Sequence, residues 1–590
     1  MAVGADALQR WPAMMHHYLA ARQELTAPGS PFAVSEIVVR DVPIKVFTSA
    51  PPNMRVVWEL TAAHADKDYV VYEDERYTYA DIDAQVRALA HLLRDVHGVG
   101  SGDRVALAMR NYPEWVVGYW ATIAVGAAVV GMNAWWTPAE MAYGLTDSTP
   151  KVLIADDERL ERTLQVLDDV RAKAPLHIIS VRSERDLPAD ASRWADVVDP
   201  ANAPAGLPDT DIDPDDDATI FYTSGTTGFP KGAQLTHRGS VHNLMNLVFM
   251  TTAIGAAEAK AVAAGEIEPP EELPQPEQNV FMAPTPLFHV TACNCLLHPA
   301  TLTGSRLVLT YKWDPGRALE LIEREQVTSL SGVPTMSREL LMHPDWEKRD
   351  TSSLRSMGGG GAALQPDLVG KIAGALKGKG APSTGYGLTE THGIVTANSS
   401  RFFIEKPESC GPIVPTLEAK LVDEEGNDLP AGPDTVGQLC VRGAVVIKGY
   451  LNRPEATADS IRDGWFNTGD IARIDADGFV YIVDRAKDMV LRGGENVYCS
   501  EVETAIYHHD AVAETAVFGM PDERLGEEVA CAVVLKPGAS LTEDELRSFL
   551  AERIAKHKIP AKVWFLDEQL PRNANGKFVK RELRAQLIGE

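Results

Sequence analysis

The sequence predicts an α/β protein: a large N-terminal domain of mostly parallel sheets flanked by helices, with a β-subdomain, and a small α+β C-terminal domain joined by a hinge. Three observations carry this prediction. Strand-like and helix-like segments alternate from residue 69 onward, which is typical of βαβ units. After residue 415, short strands with tight turns replace them. Beyond residue 493, a segment of about 100 residues has its own apolar pattern, as a second domain requires.

The individual elements are predicted from the spacing of hydrophobic residues, which repeats every 2 residues in strands and every 3.6 residues in helices. In order, the pattern predicts a hairpin over 69–78, a helix over 79–96, a strand over 104–109, a strand over 218–222, a helix over 236–250, and strands over 280–283, 307–309 and 329–332. The C-terminal unit is predicted to hold a helix over 499–508, strands over 514–517 and 529–535, a helix capped by Thr542 with Glu545 three residues on, and a strand near 563–566.

One apolar stretch allows a second interpretation. Trp115 to Trp136 carries no charge and is long enough to span a bilayer. Glycines interrupt it, however, and a membrane transporter would need further spanning segments. We therefore predict a buried helix over 114–125, ended by Gly126, and a short buried strand over 127–132.

Domain boundaries follow from changes in composition. We predict an N-terminal extension over 1–50 with an amphipathic helix near Leu8–Leu25, a large domain over 51–484 whose β-subdomain spans 415–484, and a C-terminal domain over 485–590 with its hinge near Lys487. Residues 199–217 are a polar linker. Residues 251–278, rich in Ala, Glu and Pro, are interpreted as an insertion forming a surface excursion; a lid or a contact arm is the alternative.

Composition narrows the class of protein. The chain of 590 residues is too long for one core, and its 45% hydrophobic and 24% charged residues are typical of a globular protein. A formal charge of −27 argues against sequence-independent nucleic-acid binding. The six cysteines are sparse and unpatterned, which favours structural thiols in a reducing compartment. With no signal-peptide pattern or lipidation motif, we expect a cytoplasmic protein without a transmembrane segment.

The stretch from Tyr222 to Gly232 (Tyr-Thr-Ser-Gly-Thr-Thr-Gly-Phe-Pro-Lys-Gly) has the chemistry of a phosphate cradle. Its glycines allow backbone N–H groups to face an anion, and its hydroxyls and Lys231 add further donors. The spacing differs from the common nucleotide loop, which places four residues between its first glycine and a Gly-Lys pair. The alternative is a polar surface turn between a strand and a helix.

Further polar clusters follow along the chain. Four consecutive glycines, Gly358 to Gly361, cannot pack side chains, so we expect a flat group against this backbone, with a loose turn as the alternative. The others are Ser383 to Thr391, which combines a ring, hydroxyls and a carboxylate; Gly464 to Asp470; Phe479 to Arg485; the Gly493-Gly494 pair; and Pro571 to Lys577.

In this order and separation, the loop at 222–232, Thr389-Glu390, Thr468-Gly-Asp470, Asp484-Arg485 and Gly576-Lys577 resemble the adenylate-forming superfamily of acyl-CoA synthetases, firefly luciferases and peptide-synthetase adenylation domains. The resemblance covers roughly residues 55–585 and implies a role for each motif. The β- and γ-phosphates of ATP would lie against Thr223, Ser224, Gly225, Thr226, Thr227, Gly228 and Lys231. Tyr386, Gly360, Gly361 and Ala362 would enclose adenine, with Gly387 and Ile482 as further nucleotide contacts.

The resemblance also implies the catalytic and metal-binding groups. Asp470 and Arg485 would bind ribose, Thr389 the α-phosphate, and Glu390 with Thr223 a Mg²⁺ ion, a hard cation that prefers oxygen ligands. Lys577 would bridge the acid carboxylate and the α-phosphate, Gly493 and Gly494 would line the tunnel of the thiol, and the small domain would rotate about Lys487 between two half-reactions. His289 would lie beside the acid, or serve only a structural role. Val241, His242, Gly332, Gly359 and Ile394 would lie near the acyl pocket.

The implied function is ATP-dependent activation of a hydrophobic carboxylic acid of the fatty-acid type to acyl-AMP, followed by transfer to coenzyme A. Aromatic and steroid-side-chain acids are alternatives, and so is a carrier-protein thiol as acceptor. An oxidising luciferase and a non-catalytic nucleotide-binding scaffold are further alternatives. The expected partners are the acid, ATP, Mg²⁺ and CoA; the sequence leaves a homodimer open.

Overall fold

A computed structural model of the protein describes residues 12–223, 229–269, 276–361, 364, 366–430, 432–493, 495–573 and 578–589. In these ranges the chain forms two large mostly parallel sheets, a β-subdomain sheet, a small-domain sheet and an N-terminal hairpin. The predicted α/β architecture with a smaller C-terminal domain is confirmed. The predicted domain boundaries at 50/51 and 484/485 stay predictions.

The first large sheet has eight strands within the described residues. Their order is Gly449–Tyr450, Lys231–Thr236, Asp217–Thr223, Ala128–Gly131, Arg104–Ala108, Val152–Asp156, His177–Val181 and Ser192–Arg193. The strands from Asp217–Thr223 onward pair in parallel, whereas the first two pair antiparallel. Since parallel strands end at one edge, their carboxyl ends form a common rim.

The second large sheet also has eight strands in the described part. Their order is Thr396–Ser399, Ala381–Tyr386, Ser356–Gly360, Ser329–Gly332, Val280–Ala283, Arg306–Leu309, Asp68–Tyr72 and Glu75–Thr78. The six inner strands pair in parallel and both edge strands antiparallel. Tyr386, Gly360, Gly332 and the residues after Ala283 therefore lie at one edge.

Helices separate these strands along the chain, as the alternation predicted. The α-helices of the described residues are Pro12–Thr26, Met54–Glu59, Tyr79–His91, Pro113–Ala124, Pro138–Ser148, Asp157–Leu164, Leu167–Arg171, Trp194–Val197, His237–Ala263, Val290–Ala292, His298–Leu302, Pro315–Glu325, Pro334–Met342, Pro366–Ala375, Ser400–Glu405, Pro454–Ser460, Cys499–Tyr507, Glu543–Ala551 and Lys580–Ile588. Shorter 3₁₀ or π segments span Leu60–His64, Leu92–Val96, Pro200–Asn202, Cys293–Leu297, Thr389–Thr391 and Lys556–Lys558.

The charge-free stretch from Trp115 to Trp136 is part of the protein core. A helix over Pro113–Ala124 ends before Gly126, whose φ of 75° suits glycine, and a buried strand follows over Ala128–Gly131. The rings of Trp115, Tyr119 and Trp120 in this helix are fully buried, and Trp120 stacks on Trp58 with centroids 5.2 Å apart. Across the described residues, no helix is both long and apolar enough to cross a membrane.

Two smaller sheets complete the described chain. The β-subdomain sheet runs Gly411–Pro412, Phe479–Arg485, Trp465–Ile474, Val436–Gly443 and Leu417–Val422, with Ile461–Arg462 paired to Trp465–Ile474. The small-domain sheet runs Glu495–Val497, Val490–Arg492, Gly526–Leu535 and Val512–Asp522, with Lys562–Leu566 parallel to Gly526–Leu535. The predicted capping box is confirmed, because the Thr542 hydroxyl accepts from Glu545 N–H and the Glu545 carboxylate accepts from Thr542 N–H.

The stretch at 251–278 corrects one prediction. The helix that begins at His237 does not end near residue 250 but continues to Ala263, and Ala253, Ala257 and Ala261 are fully buried along it. They pack against the N-terminal helix, Pro12–Thr26, whose Tyr18 hydroxyl donates to the Met250 sulfur. A surface excursion is therefore wrong for the helical half of this stretch, which is a contact arm for the N-terminal extension. Residues 270–275 lie outside the described residues.

A hairpin of the N-terminal extension, Val34–Val39 with Val42–Phe47, is tied to the core by a histidine. His242 Nε2 accepts from Phe47 N–H at 3.1 Å, its Nδ1–H donates to Arg238 O at 2.9 Å, and its ring stacks on that of Phe47. His242 thus joins the extension to the large domain, and its expected place near an acyl pocket stays a prediction.

Three buried histidines accept hydrogen bonds from backbone N–H groups in this region, which requires a neutral ring. Their donors are Phe47 for His242, Met54 for His237 and Thr236 for His392. Burial lowers the pKa of each ring to about 4.

Because these three rings are neutral in the folded protein, we expect its free energy of unfolding to fall in mild acid. A folded pKa near 4 against about 6.5 in the unfolded chain means that the unfolded state takes up protons first as the pH falls. The stabilisation is complete above pH ~6.5 and is lost progressively toward pH 4. We expect the free energy of unfolding to drop by about 2 kcal/mol per histidine between pH 7 and pH 5.

Urea denaturation at both pH values measures this effect. Asp484 acts in the opposite direction, because burial raises its pKa to about 6, whereas burial lowers the pKa of His298 to about 3 and so adds to the loss. His242→Gln retains a donor and an acceptor but does not titrate, and it should show a shallower pH dependence than the native chain. Equal urea midpoints of the native protein at pH 7 and pH 5 would contradict neutral, buried rings at these three positions.

Candidate active site

The predicted phosphate cradle closes a β-hairpin. Strand Asp217–Thr223 pairs antiparallel with Lys231–Thr236, and Thr223 lies opposite Lys231, with its Oγ1 donating to Lys231 O at 3.4 Å. The predicted start of the helix at residue 236 is confirmed, since the helix begins at His237, but an unpredicted second strand comes between the loop and this helix. Ser224, Gly225, Thr226, Thr227 and Gly228 lie outside the described residues, so their role stays a prediction.

Lys231, Tyr450 and Glu390 form one polar cluster beside this hairpin. The Lys231 ammonium lies 4.3 Å from the centroid of the Tyr450 ring. The Tyr450 hydroxyl donates to Glu390 Oε1 at 2.8 Å, and burial together with this carboxylate raises the pKa of the phenol, so it stays protonated. A cation, a hydroxyl and a carboxylate thus meet at the end of the strand that holds Lys231.

The backbone around Glu390 is fixed from two sides. Glu390 O accepts from Ile447 N–H at 3.0 Å, and the neighbouring strand Gly449–Tyr450 pairs with Lys231–Thr236. His392 donates through Nδ1–H to Val445 O at 2.7 Å and accepts at Nε2 from Thr236 N–H at 2.9 Å. The turn Thr389–Thr391 is therefore held between the first large sheet and residues 445–447.

The histidine also explains a small residue at the start of the long helix. A Cβ on Gly239 would lie 2.2 Å from the His392 ring, so only glycine leaves room for it. Sequence reasoning missed both His392 and Tyr450. His392 directly follows the Thr-Glu-Thr motif, a signal that could have been used; Tyr450 has no signal beyond being an aromatic residue after a strand-like run.

A second cluster joins Tyr386, Asp470 and Arg485. The Tyr386 hydroxyl donates to Asp470 Oδ2 at 2.6 Å, and burial followed by the Asp470 charge raises the pKa of this phenol. Arg485 Nε lies 3.3 Å from Asp470 Oδ1, and the two residues are register partners in the β-subdomain sheet. Asp470 is 3% exposed as a residue, while the Arg485 side chain is 46% exposed. A buried carboxylate is thus presented between a ring and a solvent-facing guanidinium.

The two clusters belong to one site because a short segment connects them. Tyr386 ends a strand of the second large sheet, and Glu390 follows four residues later. Gly387 permits the turn between them, since a Cβ there would lie 2.0 Å from Gly393 O. The side chains of Thr389 and Ile482 are half-buried.

The glycine run has two different explanations along its length. A Cβ would lie 1.9 Å from Ser383 O at Gly358 and 1.8 Å from Gly332 O at Gly359, so the neighbouring strands already fill that space. The expected flat group is therefore not needed for these two glycines. Gly360 and Gly361 lie at the carboxyl end of the strand, next to Tyr386 in the sheet, and Gly361 has a φ of 87°. Ala362 lies outside the described residues.

His289 lies at the same edge of the second large sheet. It follows strand Val280–Ala283, three strands from the one that ends at Tyr386, a separation of about 14 Å across the sheet. Its ring centroid is 4.6 Å from that of Phe288, and Phe288 lies 5.7 Å from Trp135, a residue of the first large sheet's rim. A line of rings thus crosses from one large sheet to the other.

The small-domain residues are only partly described. Lys577 and Gly494 lie outside the described residues. Gly493 is exposed, and its N–H donates to Leu525 O at 2.8 Å within the small domain. Lys487 lies in the turn after Arg485, and partial burial lowers the pKa of its ammonium. This contact of Gly493 does not reach the two clusters, so the role of Gly493 stays a prediction.

Tyr450→Phe tests the first cluster. The change removes the hydroxyl that donates to Glu390 and keeps the ring beneath Lys231. A hydrogen bond to a charged group contributes about 1.5–3 kcal/mol, so we expect kcat/KM to fall by roughly 10- to 100-fold. Steady-state kinetics measure the change, with Tyr481→Phe as a control, because Tyr481 donates in the same way to Asp475. Equal losses in both variants would contradict a local role for Tyr450.

The chain matches known families and proteins over most of its length. A model of the AMP-binding enzyme family matches residues 57–451, and one of the AMP-binding enzyme C-terminal domain matches residues 501–577. The chain is 37% identical to a feruloyl-CoA synthase of Amycolatopsis sp over 512 residues, covering 86% of this chain and 94% of the relative. It is 32% identical to a long-chain-fatty-acid–CoA ligase of Bacillus subtilis (strain 168) over 566 residues, covering 92% of this chain and 96% of that relative.

The same likeness holds in three dimensions. The crystal structure of ATP-bound MatB from Rhodopseudomonas palustris superposes with a TM-score of 0.75 at 30% identity, covering 90% of this chain and 98% of that one. The order of the motifs, the two-domain fold and the similarity over nearly the full length all indicate the same family. The chain therefore belongs to the AMP-binding enzyme family and is an AMP-forming acid–CoA ligase.

Proposed function

We propose that the protein activates a hydrophobic carboxylic acid of the fatty-acid type with ATP and transfers the acyl group to CoA, giving acyl-CoA, AMP and pyrophosphate. The observation that carries the proposal is that the segment from Tyr386 to Glu390 connects the two polar clusters of the candidate active site. Lys231 and Glu390, with Tyr450 between them, would bind phosphate and a metal ion. Asp470 and Arg485 supply a hydroxyl acceptor and a cation, and they meet the same segment through Tyr386, four residues before Glu390.

The residues around Glu390 fit a magnesium ion. Its half-buried carboxylate has oxygen donors of the kind Mg²⁺ prefers, and the hydroxyl of Thr223 belongs to the strand that pairs with that of Lys231. Glu390 would hold the ion with Thr223 as a further ligand. When bound, Mg²⁺ neutralises charge on the phosphates. Tyr450 would keep one Glu390 oxygen oriented, leaving the other for the metal.

In the first half-reaction the acid carboxylate attacks the α-phosphorus of ATP, and the bond to the bridging oxygen of pyrophosphate breaks. Negative charge grows on oxygen atoms, so positioned donors supply most of the catalysis. Lys231 would hold the departing pyrophosphate, Thr389 the α-phosphate, and Lys577 both the carboxylate and the α-phosphate. Asp470 would accept from the ribose hydroxyls, and Tyr386 with Gly360, Gly361 and Ala362 would enclose adenine.

In the second half-reaction the CoA thiolate attacks the acyl carbon, and AMP leaves. The small domain would turn about Lys487 between the two steps, and Gly493 and Gly494 would then line the pantetheine path. Because glycine lacks a side chain, the backbone can approach the cofactor closely there.

Two acid classes are supported by different observations. The relative at 32% identity is a long-chain-fatty-acid–CoA ligase, whereas the one at 37% is a feruloyl-CoA synthase. The line of rings from Trp135 through Phe288 to His289 also favours an aromatic acid, because rings stack on rings. An aromatic acid is therefore the second candidate, and His289 would lie beside it.

A pyrophosphate-release assay separates these candidates. A panel of straight-chain fatty, aromatic and steroid-side-chain acids is compared by kcat/KM with ATP, Mg²⁺ and CoA present. Preference for fatty acids supports the first candidate, preference for hydroxycinnamic acids the second. Replacing CoA with a phosphopantetheinylated carrier protein tests the acceptor, since turnover with CoA absent and the carrier present would contradict CoA as the acyl acceptor.

A further inference from the structure

Two consecutive histidines of the N-terminal helix meet Glu266, which lies three residues beyond the end of the long helix at Ala263. His17 Nε2 lies 2.9 Å from Glu266 Oε2, across a sequence separation of 249 residues. The His16 and His17 ring centroids are 3.9 Å apart. One ligand atom from each of His16, His17 and Glu266 can be chosen so that all three lie within 4.8 Å of one another.

We propose that His16, His17 and Glu266 bind one divalent transition-metal ion of the zinc type. Two imidazole nitrogens and a carboxylate oxygen are ligands that Zn²⁺ accepts, with bonds of about 2.0–2.2 Å. Three protein ligands leave a fourth tetrahedral position for water. The ligand atoms must approach one another by an ångström or so, and the exposed His16 ring has the freedom to rotate inward.

Packing holds both sides of this site in place. Met14, Tyr18 and Ala21 are buried on the inner face of the N-terminal helix, which fixes its rotation and leaves His16 and His17 near Glu266. Ile267, 7% exposed, anchors the residue next to Glu266. The His17 and Glu266 side chains are themselves only 14% and 34% exposed, so part of their hydration is already lost before an ion binds.

The ion would link two segments that are far apart in sequence. Binding to the folded chain and not to the unfolded one stabilises the docked helix by mass action. A second polar contact, Lys260 Nζ to Glu24 Oε1 at 2.8 Å, joins the N-terminal helix to the long helix that ends just before Glu266, without providing a ligand to the site. That contact supplies a matched control for the experiment.

The test uses the full chain freed of metal by chelator dialysis. Isothermal titration with Zn²⁺ should show one saturable ion per chain, and Co²⁺ should give the intense visible absorption of a four-coordinate site. His17→Ala and Glu266→Gln should each weaken Zn²⁺ binding at least about tenfold, and Glu266→Gln keeps an acceptor for His17. Lys260→Ala and His91→Ala should bind Zn²⁺ like the native chain, His91 being part of another histidine–carboxylate contact.

Thermal unfolding provides an independent readout. Zn²⁺ at about 100 times its Kd should raise the Tm of the native protein by about 3 °C or more, and this rise should vanish in Glu266→Gln. The metal-free Tm of each variant shows whether it is folded. Absence of saturable binding overturns the proposal, and so does native affinity in the His16→Ala, His17→Ala, Glu266→Gln triple variant.

Discussion

Lys577→Ala should abolish most acyl-adenylate formation. This lysine is expected to contact the carboxylate and the α-phosphate as charge develops between them, and removing one such donor typically costs about 10²–10³ in rate. The sequence from Pro571 to Lys577 is polar, so we expect the fold to tolerate the substitution. Single-turnover formation of acyl-AMP from acid and Mg·ATP, followed by quench and chromatography, measures the change.

The control for this variant is Lys556→Ala, which removes an exposed lysine of the small domain. It should form acyl-AMP at the native rate. If Lys577→Ala also formed acyl-AMP at the native rate, the lysine would not act on the first half-reaction and its assignment would be wrong.

Lys487→Pro should separate the two half-reactions. Proline fixes φ near −65° and restricts Ala486 before it, so rotation at this turn is blocked. The hydrogen bonds of the turn are donated by Ala486, Asp488 and Met489, and proline at 487 removes none of them. We expect near-native acyl-AMP formation and thioester formation slowed by about 10²-fold, the cost of misplaced reacting groups.

Single-turnover assays starting from ATP and from isolated acyl-AMP plus CoA measure the two steps. Lys487→Ala keeps the freedom of the turn and should leave the second step within a few-fold of native. Equal losses in both steps of the proline variant would count against a rotation of the small domain during the cycle.

Local patterns predicted much of the fold and the motifs of the candidate site. The alternation of strand-like and helix-like apolar segments was sufficient to predict the parallel sheets. Gly126 correctly marked the end of the helix at Pro113–Ala124. Hydroxyls and a lysine close together made the loop at 222–232 recognisable, because its donors are neighbours in sequence. Tyr386 and Asp470 were named from separate motifs, yet only the structure shows the 2.6 Å contact between them.

Features that depend on distant contacts could not be predicted. Strand Lys231–Thr236 has no alternating pattern; its pairing with Asp217–Thr223 and Gly449–Tyr450 makes it a strand. The role of Tyr450 depends on Glu390, and that of His392 on Val445 and Thr236. The alanines beyond residue 250 look like a low-complexity segment in the sequence. Their burial could not be predicted, because the helix that covers them, Pro12–Thr26, lies far earlier in the chain.

The second large sheet has a consequence for synthesis of the chain on the ribosome. Its strand Asp68–Tyr72 pairs in parallel with Arg306–Leu309, and Tyr69 contacts Thr301 through hydroxyls 2.6 Å apart. More than two hundred residues must be made before this neighbour exists, and such non-local pairing forms slowly. Nascent chains that stop before residue 306 therefore leave Val70 and Val71 without their parallel partner, so truncations in this range should aggregate or recruit chaperones.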